Sequence, residues 1–280
     1  MKLKEKITVP YIRVNLRLLA AISKKRAAQK ALRLFCTPFN KSKRRTTPLF
    51  HKAEKLHLRV ENKKVIGYRW NHSQPKKVLI IHGFQSAAKK FELYVTPLLN
   101  KGYEVLAFDA HAHGESEGDQ INVLEYKNLI EVVCNKYGPI DAFIAHSFGG
   151  LAISLALENI IHTDKTKLVL IAPATETRSA VDLLFQFLRL NNDIRDEFEN
   201  LIVSIGGKTT AWLSISRAIK NIRAQILWIH DEDDHITPLS DVLKVKENNY
   251  PNIEYYFTQG LGHSRIYRDS TVKKKIFSFL

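Results

Sequence analysis

The sequence predicts an α/β protein: a mostly parallel, twisted sheet flanked by helices, with a small helical cap inserted in its second half. Two observations lead there. Short β-branched or aromatic runs (KLHLRV, KVIGYRW, KVLIIH, YEVLAFD, DAFIAH, KLVLIAP, AQILWIH and IEYYFT) alternate with segments of helical length, the pattern of βαβ units. The interval 174–223, about fifty residues between KLVLIAP and AQILWIH, is too long for one crossover helix and reads as two or three short helices.

The first fifty residues stand apart by charge. They hold 14 Lys and Arg against the single acid Glu5, while the other 230 residues hold 29 bases and 27 acids. The formal +15 is therefore a property of one segment, and nucleic-acid binding has little beyond that charge in its favour. Within 11–35, Ile12, Leu16, Leu19, Ala27, Ala31 and Leu34 recur at three- and four-residue steps with Arg13, Arg17, Lys24, Lys30 and Arg33 between them. This predicts a basic amphipathic helix. Three readings fit it: a helix lying on an anionic membrane surface, a helix packed on the body, or a transit segment. TPFNKSKRRTTP follows as a linker, so the expected organisation is 1–50 for helix and linker and 51–280 for the body, with 174–223 as its cap.

The body opens with KLHLRV and KVIGYRW joined by Glu61-Asn62-Lys63, an expected antiparallel hairpin at the edge of the sheet. No apolar run approaches the roughly 20 residues a membrane span requires. Cys36 and Cys134 offer neither a disulfide framework nor a thiolate metal site. A cytoplasmic location fits, with peripheral attachment to a membrane if the first helix binds lipid.

The chemistry concentrates at strand ends. AHSFGG, residues 145–150, lies between the strand-like DAFIA and the helix-like LAISLALEN, so strand, sharp turn and helix meet at Ser147. Such a turn exposes a serine hydroxyl at a helix amino terminus, where a weak nucleophile can be activated. KVLIIHGFQ ends at His82-Gly83-Phe84, where acyl transfer needs N–H donors for an oxyanion; the Phe84 amide is one candidate and the Phe148 amide the other. His82 itself reads as structural. Downstream, WIHDEDDHITP places four acids, Asp231 to Asp234, after a strand, and Asp234 is best placed to orient a base. A metal set of His230, Asp231, Asp233 and His235 is the weaker reading. TQGLGHSRIY then presents His263 on a glycine-rich loop after the last strand, as the base for Ser147.

With FDAHAHGES, residues 108–116, these motifs make the body resemble the α/β-hydrolase superfamily, in the branch of the serine aminopeptidase and monoacylglycerol lipase type. The resemblance implies an α/β-hydrolase fold and a serine esterase with a catalytic triad in the chain order Ser147, Asp234, His263. It implies a structural role for His113 and no cofactor or metal, and the expected partner is a small acyl substrate. Three positions depart from the family's glycines: Ala112, Ala145 and Asp231. A lipase-like ester substrate is the reading preferred here; peptidase and thioesterase chemistry, and an inactive scaffold on the same fold, remain as alternatives.

Overall fold

The computed structural model describes residues 3–39 and 46–280, with side chains from residue 9 onward; the basic part of the expected linker, 40–45, lies outside the described residues. All eight expected strand segments form strands: β1 (Glu54–Val60), β2 (Lys63–Trp70), β3 (Lys76–Ile81), β4 (Tyr103–Phe108), β5 (Ala142–His146), β6 (Lys167–Ile171), β7 (Gln225–Asp231) and β8 (Ile253–Thr258). They form one sheet in the order β1-β2-β4-β3-β5-β6-β7-β8. β1 and β2 pair antiparallel through Val60 and Lys63, across a turn in which Glu61 and Asn62 both take positive φ, the two-residue hairpin geometry matched to strand twist. From β4 to β8 every pair is parallel, with β2 against β4 antiparallel.

The buried runs of β3 to β7 follow from this arrangement. A parallel strand with helices over both faces loses its alternation, and β4 is buried along its whole length. The main core gathers Val78, Ile80, Val105, Ile144, Val169 and Leu227 from adjacent strands with Phe91, Tyr94, Val272 and Ile276 from the helices. Full burial of each large side chain contributes roughly 1.5–3 kcal/mol. Among the described residues no helix is long and apolar enough to cross a membrane.

Contacts divide the chain into two compact units, one of 1–37 with 176–213 and one of 38–175 with 214–280. This differs from a boundary near residue 50, and the reason is apolar packing. The single helix expected over 11–35 is two, α1 (Leu3–Ile22) and α2 (Lys24–Cys36), separated at Ser23, whose Oγ accepts the Arg26 N–H and caps α2. Leu16, Ala27, Ala28 and Ala31 share a core with Val181, Phe185, Leu188, Ile194 and Phe198. Those partners belong to the inserted helices Thr177–Leu188 and Asn192–Gly206. Lys30 Nζ donates to Asn15 Oδ1 between α2 and α1, and Arg13 donates to the Phe187 carbonyl at 2.6 Å.

Candidate active site

Ser147 terminates β5 and caps the helix Phe148–Ala156. Its φ of 53° is a left-handed conformation that a serine adopts at a cost of about 1–3 kcal/mol. The turn closes only because its neighbours are small. A Cβ on Gly149 would stand 2.5 Å from the His82 carbonyl oxygen, and one on Gly83 would stand 2.8 Å from His146 Nδ1. Ala145, where the motif usually has its first glycine, is fully buried in β5 and its methyl is accommodated.

The three residues expected to act together do meet. His263 Nε2 lies 2.9 Å from Ser147 Oγ, and its Nδ1 lies 2.8 Å from Asp234 Oδ2. They come from the ends of β5, β7 and β8, whose parallel register brings their carboxyl ends to one rim of the sheet. Asp234 has a fully buried side chain, and its Oδ1 accepts the Ile236 and Thr237 N–H groups at 2.8 and 3.0 Å. Thr237 Oγ1 donates to Oδ2 at 2.8 Å. Burial alone would raise the carboxyl's pKa; the hydrogen bond and charge of His263, with the Thr237 contacts, outweigh it and hold the group at about 2.

The amides of Phe84 and Phe148 have no backbone hydrogen-bond partner among the described residues. Their rings meet edge to face at 5.7 Å. Two neutral histidines fix the loop that carries Phe84. His82 Nδ1 donates to the Gly83 carbonyl while its Nε2 accepts the Ala110 N–H, and burial keeps its pKa well below the ordinary value. His113 Nε2 accepts the Gln85 N–H at 3.0 Å and its Nδ1 donates to the His111 carbonyl. In the same segment Ala112 takes φ 63°, which explains why the related motif carries glycine there.

Sequence reasoning missed the supports around His263. Asp231 is the last residue of β7, paired with Thr258 of β8, and its carboxylate accepts from Leu261 N, Gly262 N, Asp233 N and Thr258 Oγ1, at 2.7 to 3.1 Å. It thereby fastens the loop presenting His263 to the end of β7. Burial would raise its pKa, but Thr258 and the loop amides bring it below the ordinary value. On the other side His146 Nε2 donates to the His263 carbonyl at 3.1 Å, with its ring 4.9 Å from that of His263. Burial, first, and the neighbouring His263 lower His146 to about 3, so it works as a neutral donor. The residues of the weaker metal reading are employed elsewhere: His230 Nε2 donates to the Thr237 carbonyl, and Asp233 accepts the Gly260 N–H. Among the described residues no group of His, Cys, Asp or Glu is gathered to hold a metal ion.

The sequence model of the serine aminopeptidase S33 family matches residues 72–205, the stretch that includes the Phe84 loop and the Ser147 turn. An esterase of Pyrococcus furiosus, Pf2001, superposes with a TM-score of 0.65 at 21% identity, over 88% of this chain and 97% of that one. The chain has the α/β-hydrolase fold. Est1E of Butyrivibrio proteoclasticus, solved with ferulic acid bound, shares this hydrolase fold at TM-score 0.60 and 18% identity, over 80% and 98% of the two chains. Among curated proteins, similarity extends to a Mycoplasma pneumoniae protein whose name assigns it to the esterases/lipases, 26% identical over 39% of this chain and 42% of its own. The hydrolase YugF of Bacillus subtilis is 31% identical over 29% of this chain and 31% of its own. The matched part thus spans less than half of these curated hydrolases. Relative to the superfamily's motifs, this chain carries Ala112, Ala145 and Asp231 where glycine is usual, and each is accommodated by the geometry described above.

Proposed function

We propose that the chain is a serine hydrolase that cleaves an ester-type acyl substrate through an acyl-enzyme intermediate. The observation that carries this reading is the continuous hydrogen-bond relay from Ser147 Oγ through His263 to Asp234. In the resting state the serine hydroxyl donates to His263 Nε2, and Nδ1–H donates to the buried carboxylate.

Ser147 Oγ attacks the acyl carbonyl carbon as its proton passes to His263 Nε2, and the carbonyl electrons move onto oxygen. The Phe84 and Phe148 amides are the donors for that oxyanion. Collapse of the tetrahedral intermediate expels the alkoxide, which takes the proton from Nε2 and leaves as the alcohol. Water then attacks the ester on Ser147 with His263 again as base, and the acid is released. Asp234 stays ionised throughout and stabilises the imidazolium, which its low pKa supports.

The test is Ser147→Ala in the full chain. Cleavage of p-nitrophenyl acetate and butyrate should fall at least a thousandfold, and fluorophosphonate labelling of the parent should map to Ser147. Parental turnover in the variant, or a label on another residue, rejects the reading. Absence of any labelling of the folded parent would instead identify an inactive binding protein on the same fold.

A further inference from the structure

Helix α1 carries two apolar faces, and its core uses only one. Leu16 is fully buried, with Ile12, Leu19 and Ala20 packed beside it. Tyr11, Val14, Leu18 and Ile22 recur at steps of three and four and remain 68%, 54%, 62% and 76% exposed. Residues at that spacing share one side of a helix, so they form a continuous ridge roughly 16 Å long. A solvated helix would place polar groups there.

The surroundings of the ridge are cationic. No Asp or Glu occurs between residues 9 and 36, whereas Arg17, Lys25 and Arg26 are exposed. On the same unit, Arg17, Ala20 and Ala21 of α1 help to line a cleft of about 480 Å³ whose other walls include Lys24, Arg189 and Asp193. Lys24 pairs with Asp193 at 2.7 Å, which leaves Arg17 and Arg189 as the cleft's surplus positive charge. Of the nearby acids, Asp182 and Glu199 are taken by Arg195, and Glu197 acts on Lys24, which already pairs with Asp193.

We propose that this face of α1 docks on an anionic lipid bilayer. Tyr11, Val14, Leu18 and Ile22 enter the acyl boundary, while Arg17, Lys25 and the Arg17–Arg189 cleft meet anionic headgroups. Charge complementarity and the apolar ridge together select this occupant. A polyanion such as nucleic acid would use the cations and leave the ridge in water. A second copy of the chain would bring its own cations against these. An interfacial helix needs both elements side by side, an apolar strip at the acyl boundary and basic residues at headgroup level.

The experiment is flotation of the full chain with vesicles of phosphatidylcholine alone and of phosphatidylcholine with 30% phosphatidylglycerol. Flotation reads binding without reference to catalysis, so the outcome is independent of the hydrolase assignment. The parent should partition onto the anionic vesicles at least tenfold more strongly than onto the neutral ones. Leu18→Glu/Ile22→Glu and, separately, Arg17→Glu/Lys25→Glu should each weaken anionic binding at least tenfold, with unchanged far-UV circular dichroism. Should the glutamates disturb the helix, Tyr11→Trp in the parent gives a second reading: its added fluorescence should be quenched by brominated lipid. The proposal is overturned if the parent does not float, or if its binding survives the loss of Leu18 and Ile22 and depends on the cations alone. It is equally overturned if the ridge variant only converts a dimer to a monomer in sedimentation velocity.

Discussion

Asp231 Oδ1 accepts a 2.8 Å hydrogen bond from the N–H of Gly262, one residue before the histidine that faces Ser147. The carboxylate therefore sets the height of the His263 loop although it never touches the serine. Asp231→Asn places an amide NH2 among four donors and leaves part of that set unpaired. The expected result is a ten- to hundredfold lower kcat on soluble esters with KM changed less than twofold, and faster amide exchange at 260–263. A variant with parental kcat would show that the loop holds its position without Asp231.

Asp234 has a pKa below its unfolded value, and the sign of its contribution follows. Unfolded aspartate titrates near 3.9, so the native state's preference for the carboxylate is fully present above about pH 5 and is lost as the pH falls through about 2. The group contributes roughly 2 kcal/mol over that window. In urea melts, the stability advantage of the parent over Asp234→Asn should shrink by that amount between pH 5 and pH 2. At neutral pH the same variant should retain its fold and lose about 10³–10⁴ in kcat, because the imidazole loses the acceptor that fixes its tautomer.

The turn at Ser147 makes opposite demands on its two small neighbours. Gly149→Ala forces a Cβ to 2.5 Å from the His82 backbone oxygen and should destabilise the protein by about 1–3 kcal/mol, read as a lower melting temperature. Ala145→Gly restores the usual motif but removes a buried methyl from β5; it should cost about 1 kcal/mol and leave kcat within twofold of the parent.

His113 holds the Phe84 loop through the Gln85 N–H, so its role is separable from that of the relay. His113→Leu strands that donor and should cost about 1–3 kcal/mol of stability. Ester turnover should fall about tenfold while fluorophosphonate still labels Ser147. Loss of labelling would show that the loop's support and the serine's activation are not independent.

Much of this was readable in the residues. The eight strands were legible because β-branched runs were cleanly punctuated, and the meeting of Ser147, Asp234 and His263 could be expected because each follows such a run. Asp231 was not, since four adjacent acids look alike until the β8 loop arrives to claim one of them. The break at Ser23 was hidden by an apolar pattern that continues through it in phase. The shared core of α1 and α2 with 176–213 was hidden as well, because periodicity identifies a face without naming the residues that will cover it.

Ser147 and His263 lie 116 positions apart, and the strands between them must all take their places before one side chain can reach the other. A growing chain has Ser147 long before it has His263, and no fragment that stops short of β8 can complete the pair. Under the proposed mechanism, the onset of ester cleavage during refolding would report the seating of β8, separately from global spectroscopic signals that average over the whole sheet.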